Sequence, residues 1–259
     1  MATILTDIAD GIATITLNRP EVHNAFDDRM IAELTAALEA VAARPELRVV
    51  QLAAAGASFS AGADLDWMGR MAGYADDENR ADAKRLARLL HRLATMPKPT
   101  IALVQGAAYG GGVGLVAACD IALAADGARF GLTEVRLGLV PAVISPYVIG
   151  AVGARWARRL FLTGERFDAD LALRIGLVHE ALPADRLVAR AGEIATLLTE
   201  GAPKAQAEAK SLVAQVAGEG ADEFLIDHTS ALIARMRAAP EGREGVAAFL
   251  EKRKPSWRR

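Results

Sequence analysis

Cysteine occurs once in the 259 residues, at Cys119. One thiol closes no internal disulfide, and no Cys/His spacing of a metal site is present, so no metal is expected. Set in an apolar run after Gly114, it reads as a buried core thiol rather than a reactive one. Neither sign of charge dominates: 30 Lys and Arg stand against 32 Asp and Glu, a formal net charge of −2. That balance excludes the global basic field that draws nucleic acid. No uninterrupted run of about 18 apolar residues occurs, so no membrane-spanning helix is expected. The first ten residues lack a basic segment followed by an apolar one, which argues against a secretory signal and for the cytoplasm. The 10 prolines and 23 glycines are scattered as punctuation and form no linker, repeat or low-complexity tract.

Hydrophobic residues make up 52% of the chain, enough to bury a substantial core. Residues 12–17 alternate large apolar with small or polar side chains, the period of a strand. Asn18-Arg19-Pro20 ends that strand with turn chemistry. Ile31, Leu34, Leu38 and Val41 recur at helical spacing. Residues 49–53 and 100–104 read as buried strands, and residues 77–95 as an amphipathic helix with Leu86, Leu89, Leu90 and Leu93 on one face. A helix of small residues and a strand over 121–125 follow. Strands alternating with helices over the first 140 residues predict an α/β layer architecture. From about residue 145 the pattern is almost wholly helical, with apolar stripes over 154–162, 168–175, 185–198, 203–217 and 222–237.

Two glycine loops carry the chemistry. One runs Ser58-Phe59-Ser60-Ala61-Gly62-Ala63-Asp64-Leu65; the other runs Gly106-Ala107-Ala108-Tyr109-Gly110-Gly111-Gly112. Each follows an apolar strand and precedes a helix. Glycine permits positive φ and close approach of a ligand to the backbone. The first N–H groups of each following helix lack internal partners and point at whatever sits in front. Two such ends facing one another would cradle a developing oxyanion. A single loop of this kind is equally a tight turn without a ligand; two of the same layout favour a site. The second loop lacks the Lys-Ser/Thr of a nucleotide phosphate loop and misses the G-x-G-x-x-G spacing, so a dinucleotide oxidoreductase is the weaker reading.

These loops resemble the enoyl-CoA hydratase/isomerase (crotonase) superfamily, and the resemblance extends over nearly the whole chain. It is carried by Leu17-Asn18-Arg19-Pro20, Asn24-Ala25-Phe26, the first glycine loop, Lys98-Pro99-Thr100, Gly110-Gly111-Gly112, Cys119-Asp120, Phe130-Gly131-Leu132-Thr133-Glu134, Thr163-Gly164, Gly176-Leu177-Val178 and Phe249-Leu250-Glu251-Lys252. It implies an α/β fold: a crotonase-like spiral of ββα units over residues 1–200, with a C-terminal helical trimerisation region over 201–259. Trimers or hexamers of one chain are implied, as is an acyl-CoA substrate. Coenzyme A would enter with that substrate, and no separate cofactor is expected. The N–H groups of Ala63 and Gly111 would form the oxyanion hole. Val22, Ala61, Ala63, Asp64 and Leu65 would follow the CoA chain, and Phe249 and Lys252 would meet its adenine end.

Family hydratases usually flank the double bond with two glutamates. Here the second is present as Glu134, while the first position is Gly114. One carboxylate can serve alone, activating water and then returning the proton. Glu134 is therefore the expected acid/base, and the absent partner leaves an isomerase or a catalytically weak CoA-binding scaffold as alternatives. Trp67, Met71, Tyr109, Gly114, Val143, Ile144 and Tyr147 are expected to line the acyl pocket, with Trp67 and Met71 equally readable as helix packing. The run around Asp64-Leu65-Asp66-Trp67-Met68 and Ile144-Ser145-Pro146-Tyr147 looks like bacterial methylglutaconyl-CoA hydratases. A second carboxylate on the acyl group would call for a cation, with Arg70, Lys84, Arg85 and Arg136 as candidates.

Overall fold

The computed structural model describes residues 2–258. In chain order the first half comprises β1 (Ile4–Ala9), β2 (Ile12–Leu17), α1 (Asp28–Ala42), β3 (Val49–Ala54), β4 (Ser58–Ser60), α2 (Leu65–Met71), α3 (Asp76–Ala94), β5 (Thr100–Val104), β6 (Ala107–Tyr109) and α4 (Gly111–Ala118). The second half comprises β7 (Ile121–Ala125), β8 (Arg129–Gly131), α5 (Ser145–Thr163), β9 (Arg166–Asp168), α6 (Ala169–Arg174), β10 (Glu180–Leu182), α7 (Leu187–Glu200), α8 (Pro203–Val216), α9 (Glu223–Ala238) and α10 (Pro240–Leu250).

The strands form two sheets, ordered β1-β2-β3-β5-β7-β10 and β4-β6-β8-β9. Long strand, short strand, helix is the repeating unit: β3–β4 leads to α2 and α3, β5–β6 to α4, and β7–β8 to α5. Each unit adds one strand to each sheet in parallel, which winds the chain as the predicted ββα spiral. The central strands β3, β5 and β7 of the first sheet are buried on both faces, and the period of two divides their residues between two cores. Ala102 and Val104 of β5 face the main core with α1, α3 and α4, whereas Ile101 and Leu103 face Leu187, Ala191 and Ala195 of α7.

Past residue 145 the structure departs from the nearly all-helical expectation. β9 and β10 are three-residue strands, and Asp168 is the N-cap of α6, its carboxylate accepting from the Leu171 N–H at 2.9 Å. Helix α5 is broken at Gly153 (φ +74°), so the apolar stripe from residue 154 marks its second segment, while the first segment, opening at Ser145 with a proline in its first turn, carries no such stripe. Cys119 is half-buried by residue, yet its thiol is desolvated and pushed up to about 12, as expected of an inert thiol. No helix among the described residues is long and apolar enough to cross a membrane, and no cluster of His, Cys, Asp and Glu among them can hold a metal.

Candidate active site

Parallel pairing brings the two glycine loops together. Ser58 of β4 stands beside Ala107 of β6, and Ser60 beside Ala108, so the loops leaving these strands emerge side by side. Gly62 has φ +90° and Gly110 φ +50°, and a Cβ on either would lie 3.9 Å from the Cα of the other. On Gly62 it would also lie 3.1 Å from the Tyr109 carbonyl oxygen. Glycine is required here both for the left-handed backbone and for the close approach.

Phe26 locks the pair. Its N–H donates to the Gly62 carbonyl at 2.7 Å, and its carbonyl accepts the Asp64 N–H at 2.8 Å. In this parallel bridge the polar groups of the intervening residue, Ala63, turn to the opposite side. The Phe26 ring meanwhile covers Gly111, whose Cβ would lie 3.1 Å from two ring carbons. Gly111 opens α4, so its N–H has no acceptor within the helix. Neither the Ala63 nor the Gly111 N–H has a hydrogen-bond acceptor among the described residues.

Glu134 begins the 3₁₀ turn Glu134–Leu137 that follows β8. Its Oε1 lies 3.3 Å from the point where a Cβ on Gly110 would stand, so the carboxylate rests against the second glycine loop. Oε2 is buried and has no hydrogen-bond partner. Burial pushes the carboxyl above the ordinary carboxylate range, outweighing the opposite pull of a backbone hydrogen bond. Free amides beside a carboxyl with a raised pKa can polarise a carbonyl oxygen and move a proton at a neighbouring carbon.

A buried framework holds the first loop. Asp64 caps α2, its Oδ1 accepting from the Asp66 N–H at 2.9 Å and the Trp67 N–H at 3.2 Å. Its Oδ2 takes Arg19 at 3.0 Å, and Arg19 also pairs with Asp27 at 3.0 Å and donates to the Ala25 carbonyl at 2.8 Å. The Asp64 side chain, expected along the CoA chain, is thus engaged in holding the loop. Arg19 and Phe26 lie within the motifs that carry the resemblance, but these roles are not legible there. Their spacing from the glycines shows no contact until the chain is folded.

Of the other expected residues, Ala61, Ala63 and Leu65 are exposed at the loop, and Val22 is half-buried in the turn before it. Trp67 and Ile144 pack in the main core, with Met71, Val143 and Tyr147 half-buried against it, so Trp67 serves the core first. Its indole Nε1 is buried without a partner. Phe249 lies 82% exposed at the end of α10. Arg70 pairs with Asp28 and Arg85 with Asp82, which answers two of the four candidate cations. A cation that the sequence did not suggest, Arg166, lies over the Tyr109 ring at 5.0 Å. A cleft of about 790 Å³ between Arg48, Glu46 and the tail at Trp257 contains none of the predicted site residues.

The model of the enoyl-CoA hydratase/isomerase family matches residues 7–259. The chain belongs to that family. A crystal structure of an enoyl-CoA hydratase from Shewanella pealeana superposes on it with a TM-score of 0.96 at 45% identity, covering 98% of this chain and 96% of the other. The 2,3-dehydroadipyl-CoA hydratase of Escherichia coli is 31% identical over 261 residues, covering 100% of this chain and 99% of that protein. Mevalonyl-coenzyme A hydratase of Aspergillus fumigatus is 36% identical over 253 residues, covering 95% and 91%. The superposition with the Shewanella pealeana structure covers the spiral and the C-terminal helices alike.

Proposed function

We propose that this protein is an enoyl-CoA hydratase that adds water to a branched, dicarboxylic enoyl-CoA such as 3-methylglutaconyl-CoA. The observation that carries the reading is the buried, unpartnered Oε2 of Glu134, its carboxylate lodged against Gly110 where two glycine loops, each with one free N–H, lie side by side. In this reading the N–H groups of Ala63 and Gly111 hold the thioester oxygen. Glu134 as carboxylate takes a proton from water while the hydroxyl adds to C3. The enolate charge gathers on the oxygen held by the two amides, which bind it better than the starting carbonyl. Protonated Glu134 then returns the proton to C2, and every atom of water is accounted for.

Two relatives support a dicarboxylic or hydroxylated branched acyl group by their names, 2,3-dehydroadipyl-CoA hydratase and mevalonyl-CoA hydratase. Arg166, beside Tyr109 and without an ion-pair partner among the described residues, supplies a cation for the distal carboxylate. Backbone groups of Val22, Ala61, Ala63 and Leu65 follow the CoA chain. Phe249 and Lys252 reach the adenine end bound to a neighbouring subunit of a trimer or hexamer, and the exposure of Phe249 supports this.

Glu134→Gln is expected to lower kcat for hydration by at least about a hundredfold, the lower end of what a general acid/base contributes. Loss of the conjugated enone absorbance of crotonyl-CoA and 3-methylglutaconyl-CoA measures it; unchanged turnover removes Glu134 from the chemistry. The lone carboxylate favours a second reading, a double-bond isomerase. Conversion of a 3-enoyl-CoA with no hydration of either 2-enoyl thioester would establish that one instead.

A further inference from the structure

Helix α10 buries only Ala248, so core packing does little to fix it. The chain reverses just past it in a Schellman turn: the Lys252 N–H donates to the Phe249 carbonyl at 3.2 Å and the Arg253 N–H to the Ala248 carbonyl at 3.0 Å. Lys252 takes φ +55° there, a conformation that glycine adopts with less strain. The tail then runs back along the helix. Arg253 forks onto Glu244 at 2.7 and 2.9 Å, and the Ser256 N–H donates to the same carboxylate at 2.9 Å. This return seats Trp257 over Gly245, where a Cβ would stand 3.0 Å from Cη2 of the ring. The indole N–H donates to the carbonyl of Glu200, the last residue of α7, at 3.1 Å. The Trp257 carbonyl accepts from Arg48 at 3.4 Å, and Arg48 also donates to the Gly201 carbonyl at 2.5 Å. Arg48 directly precedes β3, and its own N–H donates to the Gly11 carbonyl at 2.6 Å. Trp257 thus joins α10 to the end of α7 and to the edge of the first sheet.

We infer that Trp257 is a positioning residue: seated on Gly245, it fixes α10 against the body of the protein and so sets where Phe249 and Lys252 stand for the adenosine phosphate end of the coenzyme. This rests on the acyl-CoA reading above. Phe249 follows Gly245 by one turn on the same face, about 6 Å along the helix, so any tilt of α10 released from Trp257 displaces it. Phe249 is exposed, and the Lys252 ammonium has no partner among the described residues. An open ring beside a free cation suits a flat base and a phosphate. Trp257 acts through α10 and needs no contact with the substrate.

The test compares crotonyl-CoA with crotonyl-pantetheine, which carries the same thioester and lacks the adenosine phosphates. In Trp257→Ala, KM for crotonyl-CoA is expected to rise about tenfold or more with kcat within about twofold of wild type, while kcat/KM for crotonyl-pantetheine stays within about twofold. Gly245→Ala, whose methyl crowds the ring, should shift the ratio of the two thioesters in the same direction, and it supplies the measurement should Trp257→Ala not fold. Equal losses on both thioesters mark a merely structural tryptophan and overturn the inference, as does an unchanged KM for crotonyl-CoA. If wild type itself shows no preference for crotonyl-CoA over crotonyl-pantetheine, the placing of the adenosine end on Phe249 and Lys252 falls instead. If wild type hydrates neither, the hydratase reading falls, and calorimetric binding of butyryl-CoA and butyryl-pantetheine makes the same comparison of the variants.

Discussion

At the scale of single residues, Glu134 is the group whose environment conflicts with its charge. Its carboxyl is raised above the ordinary value of 4.5 by burial. The folded state therefore holds the proton more tightly than the unfolded chain does. The stability contribution of protonated Glu134 is complete below the ordinary value and is lost as pH rises through the raised one. Glu134→Gln removes the buried charge and keeps the shape. The variant is expected to be more stable than wild type at about pH 7.5 and to lose that advantage at about pH 4. Denaturant midpoints at the two pH values measure this, and the opposite ordering would show that the carboxylate is stabilised by its surroundings. The same shift places the acid limb of kcat/KM for hydration above the ordinary carboxylate range.

At the scale of elements, the site hangs on caps. Asp27 opens α1 by accepting from the Met30 N–H at 2.7 Å, Asp64 opens α2, and Arg19 joins the two carboxylates. With side chains only 11–18% exposed, these pairs are shielded enough for their loss to be felt. Arg19→Met strands two carboxylates and is expected to cost about 2 kcal/mol or more. Because the strap also fixes the loop bearing Ala63, kcat should fall while KM moves little. Arg19→Lys should restore neither, since an ammonium cannot span both carboxylates as the guanidinium fork does. Stopped-flow or steady-state kinetics beside thermal melts separate the two effects; equal loss in every measured quantity would mark a merely structural arginine.

Element-scale legibility follows from length and period. Helices α1 and α3 announce themselves through Leu34 and Leu38, and through Leu89, Leu90 and Leu93, all buried on one stripe. Strands β4, β6 and β8, three residues each, carry too few side chains for a period to show, yet they form most of the second sheet. The segment of α5 before the break at Gly153 is hidden because the chain entering it, residues 142–147, combines Ala, Val, Ile, Ser, Pro and Tyr without a helical stripe. Its start is set by packing on α4 and by the proline in its first turn.

At the scale of the whole molecule, the last three helices bury little of themselves. Helix α8 contributes no buried residue, α9 only Leu232 and α10 only Ala248. A polar link ties α8 to the sheet: Lys210 pairs with Asp120 at 2.8 Å, and the same carboxylate oxygen accepts the Thr100 N–H at 2.8 Å. Beyond the Glu134 turn, Leu137, Leu139 and Val140 are 63%, 53% and 70% exposed. Apolar surface concentrated in this way is the kind that a neighbouring subunit of the proposed trimer or hexamer would cover. Val140→Asp is expected to reduce the proposed trimer or hexamer to smaller species in sedimentation velocity and to lower activity with it. A wild-type chain that sediments as a monomer at every concentration would leave this surface without its proposed partner.

By itself the sequence determined the α/β class, the family, the two glycine loops and Glu134. Backbone chemistry is local, and a glycine that must adopt positive φ, or a carboxylate at a fixed spacing from a strand, is written where it acts. Only the tertiary structure decided that Phe26 joins the loops, that Arg19 straps two helix caps, and that Arg48 holds the tail at Trp257. Those pairs lie far apart along the chain, and contacts between unlike side chains carry no period that a linear reading can detect.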